Sequence, residues 1–397
     1  MARGGCDVIG DRLEQVQAAL RAAAVDGWLL FDFRGTNPFA ARIAGLPPGG
    51  LLTRRWFLYV PAHGEPHVTV HAIERRSFPD LGMRVESYGS RTELVDALGT
   101  TLAGVRRTAM EFSPNGNIPY VSRVDAGTVD LVRGLGVEVV SSADLLQLFL
   151  EWSDVQLADH GRAARALTEV KDVALAAVRE HAASGTPLTE YELQQHMARA
   201  LDERGMKYEH APIVAFGETT SDPHYTPSEA GSRPLAPGAI LLDLFCRAGA
   251  DDSPYADITW MAHLGPPSDA FLETFDRVRA ARDAAVEFLR ARLSAGAEVR
   301  GYEVDHAARA VLIAAGLEPY LLHRTGHSLG TDAVHGDAAH FDGIETLDER
   351  LVLPRLGFTV EPGVYRPDFG VRSELNVVAT ATGLDVTTAV QGAVDVL

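Results

Sequence analysis

Four carboxylates sit in surroundings that suit a carboxylate poorly. Asp243 lies in ILLDLF, Asp257 in YADITW, Glu361 in FTVEPGVY and Glu374 in VRSELNVV. Each is embedded in apolar, strand-like sequence, where a lone charge loses its hydration without compensation. Taken singly, each fits a strand-end residue facing water just as well. A fifth feature shifts that balance. HRTGHSLGTDAVHG, residues 323–336, carries His323, His327 and His335 in one short loop. Buried like charges raise one another's pKa, and a cation relieves the repulsion. Four carboxylates and the imidazole of His327 suffice to cage two divalent ions, provided that two carboxylates bridge. Such a pair can bring a shared water to hydroxide near neutral pH. The donors are mostly hard oxygens, which favours Mn(II), Fe(II) or Co(II) over the zinc of thiolate sites.

The flanking pattern supplies elements to hold these residues. Residues 11–25 read as an amphipathic helix and 28–33 as a buried strand. Residues 54–74 read as a strand, a turn and a second strand, and 137–152 as a strand running into a helix. Strands alternating with helices indicate an α/β domain over residues 1–155. From 156 to 397 the pattern changes. A long Ala/Arg/Glu-rich helix covers 158–183, and a second helix follows, with Thr189 and Glu192 spaced as a capping box. Strands come next, then helices at about 268–294 and 301–315, then the histidine loop and further strands. The order helix, helix, strands, taken twice, fits an internal duplication of an α+β unit, although the halves share negligible sequence identity.

Composition narrows the partners. The 397 residues carry a formal net charge of −18, which repels phosphate backbones and anionic lipid heads, so neither nucleic acid nor a membrane surface is expected. Two cysteines, Cys6 and Cys246, fit a reducing cytosol, with Cys246 a buried thiol at the end of AILLDLFC. The N-terminus lacks the apolar core of a secretory signal, and no apolar run reaches the ~18 residues of a membrane helix. A soluble cytoplasmic protein is expected.

The ordered set LLDLF…YADIT, HRTGHSLGTDAVH, TVEPGVY and GVRSEL resembles the pita-bread metallopeptidases, which include methionine aminopeptidase, aminopeptidase P and prolidase. Residues 1–150 are similar to the small creatinase-type domain that precedes the catalytic domain in aminopeptidase P, prolidase and creatinase. The resemblance implies an α+β pita-bread catalytic domain behind a smaller α/β domain. It implies that Asp243 chelates one metal and that Asp257 and Glu374 bridge both. His327 and Glu361 would hold the second, and Glu361 would also serve as general base to the bridging water. His224, in SDPHYTP, matches a substrate-side histidine. His335 would donate to the carbonyl oxygen or the tetrahedral intermediate. His323 would stand behind the ligands, and Arg372 would brace a carboxylate. Two divalent ions, manganese first with cobalt, iron or zinc open, a short peptide or small-molecule substrate and a homodimer complete what the resemblance implies.

The chain departs from that family in three places. Asp243 and Asp257 are fourteen positions apart, the extra residues falling in CRAGADDSPY, where Asp251 and Asp252 read as solvated turn residues. Glu361 and Glu374 are only thirteen apart, which shortens an excursion that walls the substrate site in peptidase members. Trp260 stands where arginine is common, and Leu375 where an acidic residue is common, which is expected to alter the rim and the residues behind the ligands. The leading expectation is an Xaa-Pro aminopeptidase or prolidase that releases the N-terminal residue of short peptides through a metal-bridging hydroxide. Its rivals are a metal-dependent lyase or amidohydrolase of a small metabolite, and a non-catalytic binding module. A second histidine cluster, His63, His67 and His71, has no acidic partner in view and reads as structural.

Overall fold

A computed structural model describes residues 8–47, 52–78 and 83–397, so Cys6 lies outside the described residues. The chain divides into two compact units, Met1–Leu150 and Glu151–Leu397.

The first unit is built on a six-stranded sheet of order β4-β3-β2-β1-β5-β6. Its strands are β1 (Gly27–Asp32), β2 (Trp56–Pro61), β3 (His67–His71), β4 (Arg84–Tyr88), β5 (Arg107–Met110) and β6 (Glu138–Ser141). Only β2 runs against its neighbours; β3 and β4 are parallel, as are β1, β5 and β6. The helices are α1 (Ile9–Ala22), α2 (Pro38–Ile43), α3 (Arg91–Thr101), α4 (Ala126–Gly134) and α5 (Ala143–Gln147). Alternation places Leu29, Phe31, Phe57 and Tyr59 on one face, in a core closed by Leu94 and Leu98 of α3 and Val129 and Val132 of α4. Within this unit Glu111 is fully buried. It accepts from Trp28 Nε1 at 2.6 Å, Asn37 Nδ2 at 2.7 Å and Ser142 Oγ at 3.0 Å. His67 and His71 share a strand face as expected, but each bonds a non-acidic partner: His67 Nε2 meets Thr101 Oγ1, and His71 Nδ1 accepts from the Ile73 N–H.

The second unit opens with α6 (Asp154–Ser184), started by a capping box on Ser153 and Gln156 and stopped by Gly185 at φ 69°. Its buried residues Ala163, Leu167, Val170, Ala174 and Val178 recur at helical spacing and face a sheet of order β15-β9-β8-β7. The Thr189–Glu192 capping box opens α7 (Glu190–Glu203). The sheet comprises β7 (Ile213–Phe216), β8 (Gly238–Arg247), β9 (Tyr255–Leu264) and β15 (Asp395–Val396). Next in the chain stand α8 (Asp269–Ser294) and α9 (Gly301–Ala314). A three-stranded sheet of order β10-β13-β14 and a two-stranded ribbon follow. Their strands are β10 (Gly357–Val360), β11 (Gly363–Tyr365), β12 (Gly370–Arg372), β13 (Leu375–Thr380) and β14 (Gly383–Val386). A helix pair followed by a sheet thus occurs twice. Among the described residues no helix is long and apolar enough to cross a membrane.

Period-2 alternation on the β8–β9 hairpin decides which side chains reach the interior between the two sheets. Leu242, Leu244, Cys246, Ile258 and Trp260 join the core under α6. Asp243, Phe245, Asp257 and Thr259 therefore share the opposite face, with Asp243 across from Thr259 and Phe245 across from Asp257. Of CRAGADDSPY only Cys246, Arg247 and Tyr255 join the strands, and the rest forms the loop at 248–254, as expected.

Candidate metal centre

The two aspartates and Glu374 converge. Asp243, Asp257 and Glu374 each offer an oxygen within 4.8 Å of the other two. Glu374 leads into β13, and alternation puts Asn376 on its face. The Asn376 amide donates to the Asp257 carbonyl at 2.7 Å and accepts from the Asp257 N–H at 2.9 Å. That pair of bonds fixes one sheet against the other at the carboxylates. Glu361 follows β10, its N–H held by the Thr325 carbonyl at 2.7 Å and its carboxylate touched by Thr359 Oγ1 at 3.1 Å.

His327 faces Asp257 and Glu361, with Nε2 at 3.6 Å from Asp257 Oδ2 and 3.5 Å from Glu361 Oε1. Its Nδ1 lies 2.9 Å from the Ser328 carbonyl, which can only accept. Nδ1 therefore carries the proton, and Nε2 turns a lone pair toward two carboxylates. Burial lowers the His327 pKa, against the pull of Glu361. Burial, then Asp243 and Glu361, raises Asp257 well above the usual carboxylate range. Burial, then Asp257 and Glu361, does the same to Glu374. Asp257 Oδ1 and Glu374 Oε1 are buried with no hydrogen-bond partner. Lone pairs, repelling carboxylates and orphaned oxygens aimed at one spot fit hard divalent cations.

Arg372 braces this cluster. Its guanidinium donates to Asp243 and, through Nε at 2.8 Å, to Thr259 Oγ1, which in turn donates to Glu374 Oε2 at 2.8 Å. His323 stands one step further back. Its Nδ1 donates to the Arg324 carbonyl and its Nε2 accepts from Tyr365 Oη at 2.7 Å, while Arg372 reaches the same hydroxyl at 3.4 Å. Burial, then the Arg372 charge, brings the His323 pKa down to about 4.

His335 packs on His327 with ring centroids 4.0 Å apart. Arg324 Nη2 approaches its Nδ1 at 3.3 Å, so Nε2 bears the proton. The neighbouring His327, then burial and Arg324, lowers its pKa to about 2, which favours the neutral ring. The Val334 N–H beside it is held by Glu209 Oε1 at 2.5 Å. His224 is exposed in the loop after β7. Asp222 Oδ1 caps its N–H at 2.9 Å, and Tyr225 Oη anchors the loop on buried Glu190 at 2.5 Å.

One expectation holds and two are revised here. Asp251 and Asp252 are turn residues outside the carboxylate cluster, as the sequence suggested. Trp260 does not touch the rim, because it points into the core under α6, where Nε1 donates to Asp395 at 2.6 Å and Lys171 lies 4.2 Å over the ring. Leu375, buried next to Glu374, alternates away from it. Sequence reading missed Thr259, Asn376, Tyr365, Arg324 and Glu209. Thr259 and Asn376 stand two residues from Asp257 and Glu374 on strands, a spacing that marks them. Glu209 acts from 125 positions away and leaves no local signal.

An α+β unit with two sheets closing on buried carboxylates defines a metallohydrolase of the pita-bread fold, here preceded by a smaller α/β domain. The model of metallopeptidase family M24 matches residues 161–381, more than half of the chain. The chain belongs to that family and is a metallopeptidase-like hydrolase. Among its relatives, the probable dipeptidase PepE of Mycobacterium tuberculosis is 27% identical over 335 residues, 82% of this chain and 81% of that one. The crystal structure of dipeptidase PepE from Mycobacterium ulcerans matches with a TM-score of 0.69 at 25% identity, covering 100% of this chain and 99% of that one. X-prolyl aminopeptidase from Caenorhabditis elegans, a cytosolic enzyme with a di-nuclear active site, shares the fold with a TM-score of 0.61 at 19% identity, over 96% of this chain and 62% of that one.

Proposed function

We propose that the chain is a dinuclear metal-dependent peptidase that releases the N-terminal residue of short peptides, with Xaa-Pro and other dipeptides its first substrate class. Asp243, Asp257, His327, Glu361 and Glu374 would hold two divalent ions, manganese first, with cobalt, iron and zinc as rivals. When bound, such ions polarise a carbonyl and lower the pKa of water. The observation that carries this reading is the pair of buried, partnerless oxygens, Asp257 Oδ1 and Glu374 Oε1, beside the His327 lone pair.

The remaining chemistry belongs to the chain. Glu361 takes the proton of the attacking water and passes it toward the leaving amine. His335 Nε2–H donates to the oxygen that gains charge in the transition state. His224 borders the substrate on the same side, and His323 and Arg372 keep the carboxylates in place. The names of the PepE relatives support dipeptides. Cys246, free and buried, supports a reducing cytoplasm, and a homodimer with a catalytic domain over 156–397 completes the reading.

The short ribbon of β11 and β12, three residues a strand between Glu361 and Glu374, favours a second reading in which the substrate is a small non-peptide metabolite. The deciding experiment is hydrolysis of a panel of dipeptides and tripeptides, Xaa-Pro included, by Mn(II)-loaded protein, with Glu361→Ala as control. Cleavage abolished in the control is expected. A folded, metal-loaded protein that cleaves no peptide overturns the peptidase reading and leaves the metabolite hydrolase or lyase.

A further inference from the structure

The negative charge of the chain is unevenly placed. Residues 1–150 hold fifteen arginines against sixteen carboxylates, whereas residues 151–397 hold twenty-one lysines and arginines against thirty-eight. The first unit is thus close to neutral, and part of its positive charge gathers at one edge of its sheet. There a cleft of about 810 Å³ opens at the carboxyl ends of β1, β3 and β4. This is the edge where open α/β sheets bind ligands, and the volume lies in the range of small-molecule sites.

Arg54, Arg55, Arg91 and His71 line the cleft, with Tyr88 and Phe33. Glu74 stands 3.9 Å from Arg54, but Arg55 and Arg91 have no carboxylate partner among the described residues. Among the described residues Asp125 is the one acidic group on the wall, and its two oxygens are occupied by the Thr128 N–H at 2.9 Å and the Thr128 hydroxyl at 2.7 Å. His71 Nδ1 accepts from the Ile73 N–H, which leaves Nε2–H as a donor, and its ring packs edge-on against Tyr88 at 5.0 Å. Phe33 leaves 42% of its surface exposed at the end of β1. The first turns of α3 and α4 also border the cleft and add partial positive charge.

We propose that this cleft binds a small organic anion that carries a planar ring. Its phosphate or carboxylate pairs with Arg55 and Arg91, and its ring lies against Phe33 and Tyr88. Two guanidiniums without carboxylates have no internal compensation, and guanidinium forks match both anions. A ring covers the exposed Phe33 face, which inorganic phosphate cannot do.

Calorimetric titration of the full-length, Mn(II)-loaded protein with phenyl phosphate, benzoate and inorganic phosphate tests this. One equivalent of a ring-bearing anion is expected, bound about tenfold or more tightly than inorganic phosphate. Arg55→Gln/Arg91→Gln should weaken that equivalent about tenfold or more while metal content and melting temperature stay unchanged. Anion held at the metal centre survives in that double variant, so the two sites are told apart whatever the substrate proves to be. Phe33→Ala should abolish the preference for the ring. Phenyl phosphate against benzoate separates the two head groups. Absence of ring-anion binding, or binding indifferent to the arginine changes, overturns the proposal.

Discussion

His327 and His335 stack on one another, yet their loss should have different consequences. His327 offers a lone pair to the carboxylate cluster, whereas His335 carries its proton on Nε2. His327→Ala is expected to lose most bound metal by elemental analysis. His335→Ala should keep its metal and lose about 10²–10³ in kcat, the usual cost of one transition-state donor. Equal metal content in the two variants with equal activity would refute both roles. The tautomers come from second partners, the Ser328 carbonyl and the Arg324 guanidinium, and neither could be assigned from spacing alone. Residue type and order alone indicated the carboxylates and histidines. The donors that orient them are legible only where a strand brings them into period, as with Thr259 and Asn376.

Elements set those orientations by close backbone approach. A Cβ on Gly326 would lie 2.2 Å from the Thr359 carbonyl oxygen, so only glycine lets the histidine loop bridge to β10. The next contact is held from a distance. Glu209 fastens Val334, and so the tip that carries His335, from the segment before β7. Glu209→Ala should lower kcat while leaving metal content unchanged, and Glu209→Gln, which keeps an acceptor oxygen, should recover most of it. A Gln variant as impaired as the Ala variant would mean that the negative charge matters and the hydrogen bond does not. The long helices and the Thr189–Glu192 capping box were readable because each announces itself within a few residues. The strands β4 and β5 and the helices α3 and α4 went unremarked, since short elements in mixed sequence carry weak periodicity.

At the scale of the whole molecule, stability and charge are distributed differently. Burial raises the Glu111 pKa from 4.5 to about 7, although Trp28, Ser142 and Asn37 all favour its ionised form. The folded state then holds a proton that the unfolded chain has released between those values. Stability from this group is therefore full below about pH 4.5 and falls as pH rises toward 7, by about 3 kcal/mol in all. Histidines held low by burial, such as His160 at about 4, act in the opposite sense, because their stability is lost as pH falls below the unfolded value. The difference between wild type and Glu111→Gln in denaturant titrations from pH 4.5 to 8 isolates the carboxylate, and a difference independent of pH would contradict the assignment. The carboxylate cluster is drawn from positions 243 to 374, and the Asn376–Asp257 pairing completes it. Closure of so long a loop is slow beside helix formation. During synthesis or refolding, helices can mature while the five proposed ligand groups are still strangers to one another. On the proposed reading, ion capture would come late and report arrival at the native state, so a half-folded chain would have no means of turning over substrate.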